Sequence, residues 1–175
     1  MPERFSPIDP RVKDLLYVDE SSPSLLRWRV TRGNQAKAGD VAGTLRPDGR
    51  WRVSVQGSFY YTYRIYFFLQ TGIDPANNLI DHQNGNPSDH NPNNLRLATR
   101  SQNNANRRAR NEYKGVSLHK KSGLWRARIN VDGKETTTYH ETEVAAAHAY
   151  DMLARKAHGS FAYLNFPEET DVSPA

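Results

Sequence analysis

The sequence predicts an α+β chain in three parts: an N-terminal β-rich arm, a strand–loop–strand–helix core, and a three-stranded antiparallel sheet packed on one helix. Three observations predict it. Apolar residues alternate with period two at both ends of the chain, the pattern of half-buried strands. Between them, residues 76–110 are rich in Asn and Asp but hold two short apolar anchors, Leu79-Ile80 and Leu95-Arg96-Leu97. After the last strand, Ala146, Ala149, Tyr150, Leu153 and Ala157 fall at helical spacing on one stripe.

The first part, residues 1–75, begins with an irregular, proline-containing stretch. Leu25–Val30 and Trp51–Val55 read as strands, with turns at Pro47-Asp48-Gly49 and Gln56-Gly57. Arg27 and Arg29 share one strand face, and Arg50 and Arg52 share another. Tyr61–Leu69 is dense in aromatics and ends near Gly72, which predicts a short buried helix. In the second part, residues 76–110, a turn-rich excursion separates the two anchors. Thr99 or Ser101 then caps a helix running to about Arg110. In the third part, residues 111–167, strands are expected at Val116–His119, Leu124–Val131 and Lys134–Tyr139. Asp132-Gly133 is a favoured two-residue hairpin turn. Trp125, Ala127, Ile129 and Val131 share one face of the middle strand, and Arg126, Arg128 and Asn130 the other. Thr142 is the expected cap of the following helix, and Gly159 lies just past its end. The alanines let that helix lie close to the apolar face, which leaves the opposite face bare and basic. Residues 168–175 form an acidic tail.

Composition narrows the function. Of 175 residues, 37% are hydrophobic, and the mean hydropathy is −0.82, so core material is thin and spread over small modules. There is no long apolar run and no N-terminal leader, so neither a membrane span nor a secretory signal is expected. The absence of cysteine excludes disulfides and thiolate zinc sites. The expected chain is soluble and cytoplasmic. The formal charge of +5 is unevenly placed. Residues 1–95 carry 11 Lys and Arg against 10 Asp and Glu, residues 96–134 carry 11 against 2, and residues 135–175 carry 2 against 7. Such a central block is either a solvated face or the contact surface for a polyanion.

Chemistry concentrates on Asp81, His82, Asn94 and Asn103. Phosphodiester hydrolysis needs a base to activate water and a cation to offset charge on the phosphate and the leaving oxygen. His82 can be the base, because imidazole titrates near neutral pH. Asp81 and the side-chain carbonyl of Asn103 are hard oxygen ligands, which favour Mg²⁺ or Mn²⁺ over zinc. The excursion between the anchors should return Asn94 beside His82, and Asn103 should lie in the first turns of the helix. His90 follows Asp89 and repeats the Asp-His dipeptide, but no Asn-Leu stands at the matching distance. It is expected to be an exposed loop residue. His148 and His158 read as helix-surface or packing residues and His140 as a turn residue. Trp28, Trp51, Tyr60, Tyr61, Phe67 and Phe68 read as core.

These residues resemble the HNH nuclease motif, in the Asp-His…Asn…Asn form of phage and intron-borne homing endonucleases. The resemblance implies a ββα-metal core in which His82 is the general base and Asp81 and Asn103 hold the metal. Asn94 would brace the loop and orient the histidine. Upstream, Gly57–Pro75 is similar to the strand and helix that precede the motif in phage proteins, with Tyr63-Arg64 where a His-Arg pair is usual. Downstream, Tyr113-Lys114-Gly115-Val116, Trp125-Arg126-Ala127 and Ala146–Phe166 resemble an AP2 DNA-binding domain, whose three-stranded sheet reads the major groove. The usual Leu-Gly-Thr-Phe is replaced by Thr137-Thr138-Tyr139-His140.

The expected activity is therefore site-specific DNA cleavage, leaving 5′-phosphate and 3′-hydroxyl ends. The expected partner is double-stranded DNA. Contacts are expected from Arg27, Arg29, Arg50, Arg52, Arg96, Arg107, Arg108, Arg110, Lys114, His119, Lys120, Lys121, Arg126 and Arg128. Most of these would bind backbone phosphates, whereas Arg126 and Arg128 are placed for base edges. No heptad or zipper pattern is present, so a nicking monomer is expected. The competing reading is a non-catalytic, sequence-specific DNA-binding regulator.

Overall fold

The computed structural model describes residues 5–167 except Ser88, Arg110, Asp132 and the side chain of Gln35. Arg110, the Asp132 half of the hairpin turn and the acidic tail at 168–175 therefore lie outside the described residues. The architecture is mixed α and β. In chain order it runs α1 (Val12–Leu15), β1 (Leu16–Val18), β2 (Leu26–Trp28), β3 (Thr44–Leu45), β4 (Trp51–Val55), β5 (Ser58–Tyr61) and α2 (Thr62–Thr71). Then come β6 (Leu79–His82), β7 (Leu95–Ala98), α3 (Arg100–Ala105), β8 (Val116–His119), β9 (Leu124–Val131), β10 (Lys134–His140) and α4 (Glu143–His158). Among the described residues the strands form four small sheets, ordered β1-β2, β3-β4-β5, β6-β7 and β10-β9-β8. No described helix is long and apolar enough to cross a membrane. The chain divides into two compact units, residues 1–80 with 90–97, and residues 81–89 with 98–175.

The first unit is built around Leu16, Leu26, Val53, Val55, Ile65 and Tyr66, each at most 2% exposed. Sheet alternation explains the set: Val53 and Val55 of β4 and Tyr60 of β5 point inward, while Arg52, Ser54, Phe59 and Tyr61 point outward. Helix α2 is the aromatic helix expected from the sequence and buries Ile65, Tyr66, Phe67 and Phe68. It ends at Gly72, whose φ of 73° is left-handed. Burial of one such side chain stabilises by about 1.5–3 kcal/mol. Strand β2 is shorter than the expected Leu25–Val30. Leu25 has a positive φ of 67°, and Arg29 lies beyond the strand's end. His90 is not an exposed loop residue either: it is half-buried, and its carbonyl accepts a 2.8 Å bond from the Tyr66 hydroxyl.

The second unit contains the sheet β10-β9-β8 with α4 against it. The expected strand boundaries hold within a residue, and the register pairs Val116 with Ala127, and Thr136 with Ile129. Thr142 caps α4 by accepting from Ala145 N, and Gly159 ends it with a φ of 53°. The buried stripe is rotated from the expected one. It comprises Ala146, Ala147, Tyr150, Asp151 and Ala154, while Ala157 is exposed. The rotation follows from Asp151, which a purely apolar stripe cannot include. Its carboxylate accepts from the backbone amides of Asn165 and Phe166, both at 2.8 Å, and from Asn165 Nδ2 at 3.1 Å. These bonds tie the chain after α4 back onto the helix and offset the cost of burying the charge.

Candidate active site

Three segments of the second unit build the site. The end of β6 supplies Asp81 and His82. A tight turn follows, in which Gly85 N donates to His82 O at 2.8 Å. Gly85 has a φ of 67°, a conformation that costs a side-chain-bearing residue about 1–2 kcal/mol. Helix α3 then supplies Asn103. Its start is fixed by a capping box. Thr99 Oγ1 accepts from Gln102 N at 3.2 Å, and Gln102 Oε1 accepts from Thr99 N at 2.8 Å.

Helix α3 stops at Ala105, well short of the expected Arg110. Two groups terminate it. Asn106 turns its side chain inward, and the Lys114 ammonium donates to the carbonyls of Ala105, Arg107 (2.7 Å) and Asn104 (3.5 Å). Those acceptors include carbonyls that a longer helix would have bonded internally.

Asn106 is the residue the sequence reading missed. It is 7% exposed. Its Nδ2 lies 3.0 and 3.1 Å from the two oxygens of Asp81 and 2.7 Å from the carbonyl oxygen of His82. All three are acceptors, so the amide nitrogen must be the group facing them. One side chain thus fixes both the carboxylate and the backbone of the Asp-His pair. The signal was present: Asn106 follows Asn103 by three residues, which puts both on one face of a helical turn.

Asp81, His82 and Asn103 line one open pocket of about 470 Å³, together with Gly85, Pro87, Asn106, Arg107 and Arg108. Asp81 is 4% exposed, and Nε2 of His82 is buried. Arg107 and Arg108 are exposed, and Arg108 donates to Asn84 O at 3.4 Å. A concave site with one carboxylate at its base and two guanidinium groups at its rim suits a phosphate diester. Asn94 belongs to the other unit, where it ends the short 3-10 turn Pro92–Asn94.

The donors also fit a hard cation. Asp81 supplies hard carboxylate oxygens, held in place by Asn106 Nδ2. Asn103 adds an amide oxygen, and no thiolate exists in the chain. The described residues contain no group of three or more His, Cys, Asp or Glu suited to a metal. Two protein oxygens with the remaining positions left to water and phosphate is the pattern of Mg²⁺ rather than of a closed zinc site.

The other expected DNA contacts divide sharply. Lys120, Lys121 and Arg128 are exposed, Arg128 in a 3.3 Å ion pair with Glu135. Arg126 is half-buried, and its guanidinium reaches Ser117 Oγ at 3.2 Å. His119 bonds Ser122 Oγ at 2.8 Å and packs edge-on against Tyr139. The outward sheet face is therefore basic but not uniformly so, since Glu135 and Tyr139 share it. Lys114 faces inward: burial, and secondarily the nearby Arg107, push its ammonium down to about 8. In the first unit Arg27 is held by Asp19 and by Gly39 O at 2.9 Å. Arg29 lies over Tyr17, Arg50 over Tyr61 and Arg52 over Phe59. Arg96 is half-buried on β7. Arg64, half of the Tyr63-Arg64 pair, is only 3% exposed. It donates to the carbonyls of Asn78 and Ala76 at 3.0 and 2.5 Å, just ahead of β6.

Residues 60–105 match the family model described as HNH endonuclease. The match supports a nuclease of the HNH type, an enzyme acting on DNA. No curated protein and no solved structure matches the chain.

Proposed function

We propose that the chain is an HNH endonuclease that hydrolyses DNA phosphodiesters with one divalent cation, Mg²⁺ or Mn²⁺. The observation that supports this most is that Asp81, His82 and Asn103 line one pocket, inside the segment similar to HNH endonucleases. In this reading His82 takes the proton from the attacking water. Asp81 and Asn103 hold the cation, which would offset charge on the scissile phosphate and the departing 3′ oxygen. Asn106 fixes the Asp81 carboxylate, and Arg107 and Arg108 grip neighbouring phosphates. Asn94 takes the orienting role that the resemblance assigns to its position.

Residues 76–110 would form the ββα-metal core. Residues 111–167 would form an AP2-like DNA-binding domain, with Arg126 and Arg128 directed at base edges and Lys120, Lys121 and His119 at the backbone. Residues 1–75 would add contacts through Arg50 and Arg52. The type is that of phage and intron-borne homing enzymes, working in the cytoplasm. One active site per chain cuts one strand per encounter, so a monomer nicks.

The test is supercoiled plasmid incubated with the full chain in Mg²⁺ and in EDTA. Nicked circles that form only with the cation, and that DNA ligase reseals without other treatment, are expected. Resealing reports 5′-phosphate and 3′-hydroxyl ends. A chain that binds plasmid yet leaves it supercoiled in Mg²⁺ and Mn²⁺ would defeat the proposal and favour a DNA-binding regulator.

A further inference from the structure

Strands β3, β4 and β5 carry a second surface that the proposed cleavage site does not use. Their outward face presents Arg52, Phe59 and Tyr61, with Arg50 just before β4. Phe59 is 62% exposed although it sits in the middle of a strand. The Arg52 guanidinium lies 4.2 Å from the centre of its ring, and that of Arg50 lies 5.5 Å from the Tyr61 ring. Tyr61 is stacked on Tyr63, with centroids 5.7 Å apart. Beside these rings is a cleft of about 160 Å³, walled by Phe5 and Tyr61. At its base is Arg64, whose guanidinium sits 3.9 Å from the Phe5 ring centre. The three strands contain no carboxylate. Asp48, in the neighbouring turn, accepts the backbone amide of Arg50 at 3.1 Å.

Two features identify what fits. An exposed ring such as Phe59, beside a half-buried Tyr61 and guanidinium groups, stacks on planar π systems and attracts negative charge. A paired base in an intact duplex offers no open face, whereas an unstacked one offers both. We infer that the β3–β5 face, centred on Arg52, Phe59 and Tyr61, is a stacking site for an unstacked nucleotide of a DNA strand. The base lies on the aromatic rings and its phosphates meet Arg50 and Arg52. Charge complementarity favours this occupant over a protein, because the face joins apolar rings to Arg50 and Arg52, its strands hold no carboxylate, and Asp48 in the adjoining turn acts only on Arg50. The inference rests on the reading of the chain as a DNA-binding protein but not on its nuclease chemistry.

Fluorescence anisotropy in EDTA separates the possibilities, using a labelled single-stranded deoxyoligonucleotide and the matched duplex with the full chain. Phe59→Ala should weaken single-strand binding about tenfold, the scale of one base–aromatic stack. That loss should exceed the loss on the duplex by at least about fivefold, because a paired base does not reach the ring. Phe59→Trp should restore the single-strand affinity. An unaltered thermal transition in Phe59→Ala would show that the exposed ring is not needed for folding. Equal losses on both DNAs, no loss on the single strand, or duplex binding without single-strand binding would each overturn the stacking site and leave the nuclease reading standing. Single-strand binding that depends on Phe59, in a chain that cannot cut plasmid, would overturn the nuclease reading alone. Failure to bind either DNA would overturn both.

Discussion

Replacing Asn106 by Ala removes the group that fixes Asp81 and the His82 backbone at once. The Nδ2 group carries two hydrogens and faces three acceptors at 2.7–3.1 Å, so it counts as two hydrogen bonds, one of them shared. A bond to a charged acceptor contributes about 1.5–3 kcal/mol and one to a neutral acceptor about 1 kcal/mol. The expected loss of stability is therefore about 3 kcal/mol, or roughly 6–12 °C in the thermal transition of a chain this size. The functional loss is separate. Groups that orient a metal ligand typically change metal affinity or activity by about 10–100-fold when removed. Mg²⁺ titration of plasmid nicking, run well below the unfolding temperature, should show the half-activating concentration displaced by that factor. Asn106→Asp should do worse than Asn106→Ala, because it sets a second carboxylate against Asp81. If Asn106→Ala lost stability but kept the wild-type Mg²⁺ dependence and rate, Asn106 would be a structural tie only.

Other consequences follow from single contacts. A Cβ on Gly115 would lie 2.1 Å from the Tyr150 ring and 2.9 Å from Arg128 O, at a φ of 73°; Gly115→Ala should cost about 3 kcal/mol or more, measured by urea unfolding. Lys114 has a folded-state value of about 8, below the ordinary lysine range. Between those values the unfolded chain binds a proton that the folded chain has released, so this residue makes stability rise with pH there. The difference in unfolding free energy between wild type and Lys114→Met, followed from pH 7 to about 11, should show that rise and flatten outside the window. Replacing the exposed Arg107 and Arg108 by Ala should weaken DNA binding on every sequence alike, and should flatten the salt dependence by about one unit of slope per lost phosphate contact.

The third part of the chain was the most legible, because strand alternation, the Thr142 cap and the Gly159 stop are all local signals. The aromatic helix and its Gly72 end were legible for the same reason. What the sequence hid lies in pairings across long separations. Asp151 looks like a solvent position on α4 until residues 165 and 166 return to it. Lys114 looks like a phosphate contact until the carbonyls at the end of α3 surround it, and that same arrangement shortens the helix. Arg27 reads as an outward strand arginine, but Asp19, eight residues earlier, holds it. At the candidate site, Asp81, His82 and Asn103 were legible from residue type and interval, and the structure brings them to one pocket. For Asn106 the interval from Asn103 gave a place on the same helical face but not the role, which depends on Asp81, 25 residues away. Phe59 and Tyr61 also escaped: Tyr61 was read with the core aromatics, and alternation alone does not say which sheet face stays open to solvent.

The most direct measurement is the rate at which supercoiled plasmid is nicked in Mg²⁺ by the wild type and by Asp81→Ala, His82→Ala and Asn103→Ala, with DNA affinity and thermal stability measured alongside. Loss of a general base typically lowers the rate about 10²–10⁴-fold. The account predicts a loss of that order for His82→Ala and large losses for both ligand variants, with DNA still bound. Wild-type nicking by His82→Ala, or by Asp81→Ala and Asn103→Ala together, would contradict it.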